Sequence, residues 1–273
     1  MRKKISVLFL ILIMMIGILA ACGTKEDDKE EGQDTVLDND TDDDTVDETD
    51  AEENNTIIVG TEAGFAPYEY MVGNDVVGID MDISRAIADA LGKELVIKNM
   101  DFDGALLAVQ QGTIDFMAAG VSVSEERKEK MDFTIDYVDS TEVVLVNKES
   151  PAVADLDDLD GKVIGVQQGN IADFYVEDKI NAKKIKRYTK FAQAAKDLIN
   201  NKIDCIVMDL YPAQDLVEAN EELIILDGVL FEDKYAIAVQ KGNQELLDQI
   251  NAVIQELKDT GKIEEFTANH TNN

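Results

Sequence analysis

The chain has 273 residues, enough for one large domain or two small ones with a sizeable hydrophobic core. It carries 25 basic and 57 acidic side chains, a formal net charge of −32. A charge of that sign repels phosphate backbones and anionic lipid head groups, so it argues against nucleic-acid binding and against electrostatic attachment to a membrane.

The first segment, residues 1–22, has the features of a bacterial export signal. Basic residues at positions 2–4 precede an uncharged and almost wholly apolar run, 5–21, which is marginal in length for a membrane-spanning helix. Its ending, LAAC at 19–22, resembles the lipobox of bacterial lipoproteins and implies cleavage and lipidation at Cys22. The alternative is an uncleaved anchor in which the cysteine is incidental. Either outcome places the rest of the chain outside the cytoplasm, and the lipoprotein resemblance implies more than one acyl chain and therefore lasting attachment.

The second segment, residues 23–55, is strongly acidic and contains few apolar residues. It cannot bury enough apolar surface to offset the entropy lost on ordering, so we expect a disordered linker. Repulsion between its charges should extend it and hold the folded part away from a negatively charged surface.

From residue 56 onward, short apolar runs alternate with stretches of helical period, which is typical of an α/β fold. A first series of predicted strands lies at 56–60, 95–98, 114–118 and 143–147, and a second lies at 162–166, 185–188, 203–208 and 235–240. Helices are predicted at 80–91, 104–111, 125–130, 171–180, 191–200 and 244–260.

Two stretches of the chain repeat one pattern. Residues 105–115 and 194–204 both read as a helix, a short polar turn and an Ile-Asp pair that opens an apolar strand, which indicates two similar lobes. Ligands of open α/β sheets bind beyond the carboxyl ends of the strands, so the residues after Ala118 and Met208 are candidates for a site. They are Gly120, Ser122, Arg127 and Asp209.

Several kinds of chemistry are excluded or disfavoured by composition. The one histidine, His270, lies near a polar chain end, which argues against histidine-based catalysis and histidine metal sites. Neither a Walker loop nor a Gly-x-Gly-x-x-Gly motif is present. If Cys22 is lipidated, Cys205 has no disulfide partner, and its apolar surroundings predict an inert core thiol. We therefore expect no metal and no cofactor.

The remaining candidates are recognition groups. Arg127 can hold a carboxylate through two parallel charged hydrogen bonds, with donors from Gly120 and Ser122, and Asp209 can accept a ligand ammonium. Phe65 and Phe102 could supply flat apolar walls. Alternatively, Arg127 lies on a solvated helix face within its charged stretch, and Phe102 belongs to the core.

The folded part resembles the family-3 extracellular solute-binding proteins of polar amino-acid ABC transporters. The matching pieces are GTEAGFAPYEY at 60–70, GIDMD at 78–82, DFD at 101–103, AGVSVSEERK at 119–128, MDF at 131–133, VIGVQQG at 163–169 and IDCIVMD at 203–209. Each piece is weak alone, but their order along the chain makes the resemblance specific.

The resemblance implies roles for individual residues. Arg127 and Ser122 would take a ligand α-carboxylate with backbone groups of Gly120, and Asp209 would take the α-amino group. Phe65 and Phe102 would enclose the ligand side chain. The turn after Gly169 would offer backbone donors from the second lobe, where Asn170 replaces the usual threonine and its hydroxyl.

Side-chain specificity is expected to depend on Glu62. It lies where relatives that bind cationic amino acids often have an acid, and a desolvated carboxylate there would favour arginine or lysine. Alternatively, Glu62 pairs within its own lobe. Whichever of Gln167 and Gln168 points into the cleft could bond an amide or guanidinium.

The resemblance implies a two-lobed, type II periplasmic-binding-protein-like fold with two hinge strands, near 143–147 and 234–239. We expect one lobe at 56–144 plus 238–273 and the other at 145–237. The implied protein is not an enzyme but a monomeric, lipid-anchored receptor outside the cytoplasm, which closes on a free amino acid and delivers it to an ABC permease. The rival interpretations are a cyclohexadienyl-type dehydratase on the same scaffold and a ligand-sensing input protein.

Overall fold

A computed structural model of the chain describes residues 55–271. Cys22, the predicted export signal and all but the last residue of the predicted linker lie outside the described residues. Within 55–271 no helix combines the length and the apolar character needed to cross a membrane.

The elements follow one another in a regular α/β series. The first part of the chain forms β1 (Thr56–Thr61), β2 (Tyr70–Val72), β3 (Asp75–Val77), α1 (Ile79–Leu91), β4 (Glu94–Asn99), α2 (Phe102–Gln111), β5 (Phe116–Met117), α3 (Glu125–Lys130) and β6 (Met131–Phe133). The middle part forms β7 (Val138–Asn147), a short 3-10 helix (Leu156–Leu159), β8 (Val163–Gln167), α4 (Ile171–Lys179), β9 (Lys184–Tyr188), α5 (Phe191–Ile199), β10 (Cys205–Asp209), α6 (Leu210–Ala219), β11 (Leu223–Ile225) and β12 (Phe231–Tyr235). The last part forms β13 (Ala238–Gln240), α7 (Gln244–Asp259) and α8 (Lys262–Thr271).

The strands build two larger sheets, and we call the part of the chain around each sheet a lobe. The first sheet has the order β4-β1-β5-β13-β6, in which β1 is parallel to both β4 and β5. The second has the order β11-β7-β10-β8-β9, with β12 pairing along the other half of β7. Here β8 is parallel to β9 and β10. In both sheets the parallel strands direct their carboxyl ends to one edge.

The chain passes between the two sheets at 134–137 and again at 236–237, and these crossings lie side by side. Thr134 N donates to Ile237 O (3.0 Å), and Tyr137 N donates to Tyr235 O (2.9 Å). The first crossing comes earlier than the expected 143–147, because β7 pairs with strands of the second sheet from Val138 onward. Residues 138–144, which the sequence assigned to the first lobe, therefore belong to the second sheet; the other lobe limits stay predictions.

The repeated Ile-Asp pattern has the same role in both lobes. Asp115 Oδ2 accepts a hydrogen bond from the backbone N–H of Ile58 in β1 (2.6 Å). Asp204 Oδ2 accepts one from Val163 in β8 (2.7 Å). Each aspartate therefore fixes the strand that follows it against the neighbouring parallel strand of its sheet.

Cys205, which follows Asp204, is buried, and burial raises the pKa of its thiol to about 12.

We predict that Gly78→Ala destabilises the protein whereas Gly104→Ala does not. Gly78, just before α1, has φ 131° and ψ 175°, a region open essentially to glycine, and a Cβ there would collide with the backbone oxygen of Tyr68. Gly104 lies exposed within α2, with no atom within 4 Å of an added Cβ. Thermal unfolding should show a loss of about 2 kcal/mol or more for the first variant and a gain of about 0.5–1 kcal/mol for the second. Equal melting temperatures would contradict this account.

Candidate functional site

The candidate residues lie at the carboxyl edge of the two sheets. Glu62 directly follows β1, Gly120 and Ser122 follow β5, Gln167 ends β8, Asp209 ends β10, and Phe102 begins α2 after β4. This is the edge at which α/β sheets place their ligands. The fold therefore brings together residues that are up to about 150 positions apart in the chain, among them Gly120, Ser122 and Asp209, which were chosen because they follow strands.

Arg127 is buried where the two lobes meet, so the alternative of a solvated helix face is wrong. Ser124 caps the short helix α3 by accepting a hydrogen bond from Arg127 N (3.2 Å). The guanidinium turns inward, where Nη1 donates to Ser122 O (2.6 Å) and Nη2 donates to Gly169 O of the second lobe (2.7 Å). The guanidinium carbon, Cζ, lies 5.6 Å from the centre of the Phe102 ring. The side chain that was expected to bind a carboxylate thus bridges the lobes.

The positive charge of Arg127 is poorly matched by its immediate partners. Burial lowers the pKa of Arg127 to about 10, while the charges of Asp233 and Asp209 oppose that shift. The group stays charged at neutral pH, yet both acceptors are neutral carbonyl oxygens and Nε has no hydrogen-bond partner. A buried cation in these surroundings favours an anion.

Asp209 is a matching buried anion. Its Oδ1 accepts hydrogen bonds from Ser140 Oγ (3.2 Å) and from the Tyr235 hydroxyl, and the buried Glu142 carboxyl group is a further hydrogen-bond partner. Burial raises the pKa of Asp209 to about 6, the charge of Asp233 adds to this, and the hydrogen bonds from Tyr235, Glu142 and Ser140 oppose it. At neutral pH the site therefore contains a carboxylate with no cationic partner among the described residues.

Two acids beside Asp209 were not found from the sequence. Carboxylate oxygens of Glu142, Asp209 and Asp233 lie within 4.8 Å of one another. Glu142 is directly opposite Asp209 in the β7–β10 register and is fully buried, and its carboxyl group is a hydrogen-bond partner of Asp209. Burial raises its pKa well above the usual range, and the charge of Asp209 raises it further. Within 55–271, Glu142, Asp209 and Asp233 are the cluster of carboxyl groups close enough together to surround one cation.

The missed acids gave little signal in the sequence. Glu142 precedes the apolar run that predicted the strand at 143–147, so it lay outside the predicted strand. Asp233 lies in a mixed stretch, FEDKY, with no apolar alternation. The polar residue spacing in DSTE at 139–142, which puts Ser140 and Glu142 on one strand face, was the only available indication.

The aromatic candidates are both buried at the site, but their contacts differ. The Phe65 ring stacks on Phe191 of the second lobe, with ring centres 6.0 Å apart, and on Tyr68 at 5.9 Å. The Phe102 ring lies under the guanidinium of Arg127. Enclosure of a ligand side chain between Phe65 and Phe102 stays a prediction.

Gly120 shapes the site through its backbone. Its φ is 53°, and a Cβ would lie 2.8 Å from the Phe65 ring, so the position requires glycine. Its N–H, expected to serve a ligand, donates instead to Asp80 Oδ2 (2.8 Å). Ser122 is buried beside it and lies in a β-bridge with Tyr235.

Glu62 has its polar partners on the second lobe, not within its own. Lys190 Nζ lies 3.0 Å from Glu62 Oε1, and Gln167 Nε2 donates to Oε2 (3.1 Å). Glu62 is 1% exposed. Burial raises its pKa, while Lys190 and Gln167 oppose the shift. Lys190 was not identified from the sequence, because a lone lysine before a helix carries no distinctive pattern.

The turn that follows β8 completes the contact between the lobes. Gln167 points into the cleft toward Glu62, whereas Gln168 Nε2 donates to Asp103 Oδ2 (2.5 Å) near the surface. Gly169 offers its carbonyl to Arg127. Asn170 caps α4, since its side-chain oxygen accepts from Ala172 N (3.1 Å). That oxygen is therefore engaged in helix capping.

Residues 57–273 match the family model of the bacterial extracellular solute-binding proteins, family 3. The arginine-binding extracellular protein ArtP of Bacillus subtilis (strain 168) is 25% identical over 273 residues, covering 95% of this chain and 94% of ArtP. The L-cystine-binding protein TcyJ of Escherichia coli (strain K12) is 29% identical over 217 residues, covering 78% of this chain and 81% of TcyJ.

The crystal structure of a mutant of ArgBP from T. maritima superposes with a TM-score of 0.77 at 34% identity, covering 82% of this chain and 99% of that chain. This likeness confirms the predicted two-lobed α/β fold. These relatives are binding proteins, in agreement with the prediction that the chain is not an enzyme. Since the family model covers most of the sequence, the chain belongs to the bacterial extracellular solute-binding proteins, family 3.

Proposed function

We propose that this protein captures a free polar amino acid between its two lobes and delivers it to an ABC permease. One observation carries the proposal: the site buries a cation, Arg127, together with an anion, Asp209, and within the described residues neither forms an ion pair. An amino acid supplies both missing charges, because its carboxylate and ammonium are attached to the same carbon. The names of ArtP and TcyJ support the same class of ligand, since they are an arginine-binding and an L-cystine-binding protein.

Arg127 and Ser122 would hold the α-carboxylate, and Asp209 would hold the α-ammonium. Arg127 belongs to the first lobe and Asp209 to the second, so a zwitterion would interact with both. Such a ligand stabilises the arrangement in which the lobes approach each other, and hinge movement at the crossings 134–137 and 236–237 would open the site. The mechanism involves no bond chemistry.

The location of the receptor is also part of the proposal. A lipid on Cys22 would anchor the chain to the outer face of the bacterial cytoplasmic membrane, and the acidic linker would hold the lobes away from the surface. In this arrangement the receptor acts as a monomer beside its permease. Glu62 would contact the ligand side chain and favour a cationic or polar end group.

The ligand class is tested by a thermal-shift screen of the purified chain, unfolded and refolded first to remove carried ligand. The probes are the twenty common amino acids with ornithine, citrulline and cystine. At least one should raise the melting temperature, because a ligand that binds only the folded state stabilises it. A screen in which no amino acid shifts the transition would refute the proposed function.

We predict that Arg127→Ala weakens binding of the most stabilising amino acid by about 100-fold or more, because the ligand carboxylate loses its buried charged partner. Calorimetric titration measures the change. Arg85→Ala is the matched control: Arg85 forms an exposed pair with Asp82 on α1, and its removal should leave the affinity within about twofold. Equal losses in the two variants would reject the assignment of Arg127.

Binding should weaken as the pH falls below about 6. Burial raises the pKa of Asp209 to about 6, and only the ionised form attracts the ligand ammonium, so protonation removes the attraction. The affinity should fall by up to about tenfold per pH unit in that range, and Asp209→Asn should bind weakly with a flatter pH profile. The same slope in parent and variant would assign the pH dependence to another group.

Cys22→Ala should release the protein from the membrane fraction into the medium of cells that secrete it, since the acyl attachment is lost. Fractionation followed by immunoblotting measures the distribution, and metabolic labelling with palmitate should mark the parent alone. Absence of the label from the parent would instead indicate an uncleaved anchor in which Cys22 is incidental.

A further inference from the structure

Lys190 occupies a position in the cleft that no part of the proposed function uses. It lies immediately before α5, at the helix N-cap position. Its backbone belongs to the second lobe, yet its ammonium reaches Glu62 of the first lobe, with 3.0 Å between Nζ and Oε1. The other oxygen of Glu62 accepts from Gln167. Both oxygens of the carboxylate expected to select the ligand side chain are therefore already engaged.

The two members of this ion pair differ in their access to water. The Glu62 side chain is 1% exposed, whereas that of Lys190 is 41% exposed. A carboxylate as buried as Glu62 needs a counter-charge, because desolvation of an unpaired ion is costly. The lysine has a flexible stem at the surface, so its ammonium can return to water without the same penalty.

The neighbouring charged groups leave Lys190 as the cation that neutralises Glu62 within the described residues. Burial raises the pKa of Glu62, Lys190 opposes that shift, and the nearby Asp101 adds to it. Gln167 contributes a neutral amide hydrogen bond. Removal of the Lys190 charge would thus leave a buried carboxylate with no ionic partner.

We propose that Lys190 determines specificity as a tethered competitor: its ammonium occupies the place at Glu62 that a cationic ligand side chain would take. The inference rests on the proposed function, since it concerns the side-chain end of the same cleft. A guanidinium or ammonium from the ligand binds by displacing Lys190, and one cation then replaces another. The charge of Glu62 therefore adds little net preference for a cationic ligand over a neutral polar one.

The Glu62–Lys190 pair also offers an acceptor and a donor to a ligand with a neutral polar end group. The ligand class that suits the intact pair includes amino acids ending in an amide or ureido group, alongside the cationic ones. Without Lys190 the same pocket would present an uncompensated carboxylate, which favours cations strongly.

Arginine and citrulline form a suitable pair of probes, because they are close in shape and differ in the charge of the terminal group. Calorimetric titration of the full chain with each, at neutral pH and low salt, gives the arginine-to-citrulline affinity ratio. In Lys190→Met the ratio should rise by about tenfold or more, since arginine no longer competes with a tethered ammonium. Lys190→Arg keeps the counter-ion and should retain a ratio close to that of the parent.

Lys196→Met is the matched control. Lys196 lies exposed on the same helix, α5, and its loss changes the net charge by the same amount without touching Glu62. This variant should keep the ratio within about twofold of the parent. Melting temperatures of all variants verify that each is folded at the temperature of titration.

The outcomes separate the two proposals. If the parent binds an amino acid and Lys190→Met leaves the ratio unchanged or lowers it, the role of Lys190 is wrong and the receptor function stands. If the parent binds neither probe, arginine binding that appears in Lys190→Met supports the inference, and its absence overturns it. Failure of every amino acid to bind the parent refutes the receptor function itself.

Discussion

The structure depends on the burial of unlike charges at the edge where two sheets meet. Arg127 brings a guanidinium into this region from the first lobe, and its two carbonyl partners belong one to each lobe. Asp209 brings a carboxylate from the second lobe, held by Ser140 of β7 and Tyr235 of β12. Within the described residues neither charge forms an ion pair, so this region gains stability from whatever supplies the complementary charges. The same two buried charges would therefore contribute both to ligand recognition and to the approach of the two lobes.

The two crossings lie next to the site that the lobes form. The segments 134–137 and 236–237 are hydrogen-bonded to each other, and the loop with Ser122 pairs with Tyr235 at the start of the second crossing. Tyr235 also donates to Asp209. The proposed carboxylate and ammonium subsites are therefore both tied to one short stretch of backbone, whereas Glu62 and Lys190 lie on different lobes and would separate in the proposed opening. The α-carbon end of a ligand would meet a fixed geometry and its side chain a variable one.

The sequence predicted those helices and strands whose pattern of apolar residues matches the pattern of buried residues in the structure. The strand at Cys205–Asp209 is wholly buried and appeared as an apolar run, and the two Ile-Asp pairs predicted a repeated unit whose aspartates form equivalent hydrogen bonds. Prediction failed where polar residues interrupt the apolar pattern of a buried strand. The first half of β7 was missed because Ser140 and Glu142 are buried polar residues within it. The helix Leu210–Ala219 was missed because a proline stands in its first turn, a position that helices tolerate.

The same limit applies within the site. Arg127 and Asp209 could be chosen from strand-end positions, since carboxyl edges converge in any parallel sheet. The partner of Glu62 could not be chosen in this way, because pairing across a cleft depends on how the two lobes meet. Lys190 is 128 residues away from Glu62 in the chain and has no pattern of its own. The carboxylate that we propose to contact the ligand side chain thus has a cation from the opposite lobe as its partner, and on this proposal the ligand preference of the cleft would depend on the free-energy difference between displacing that lysine and leaving it in place.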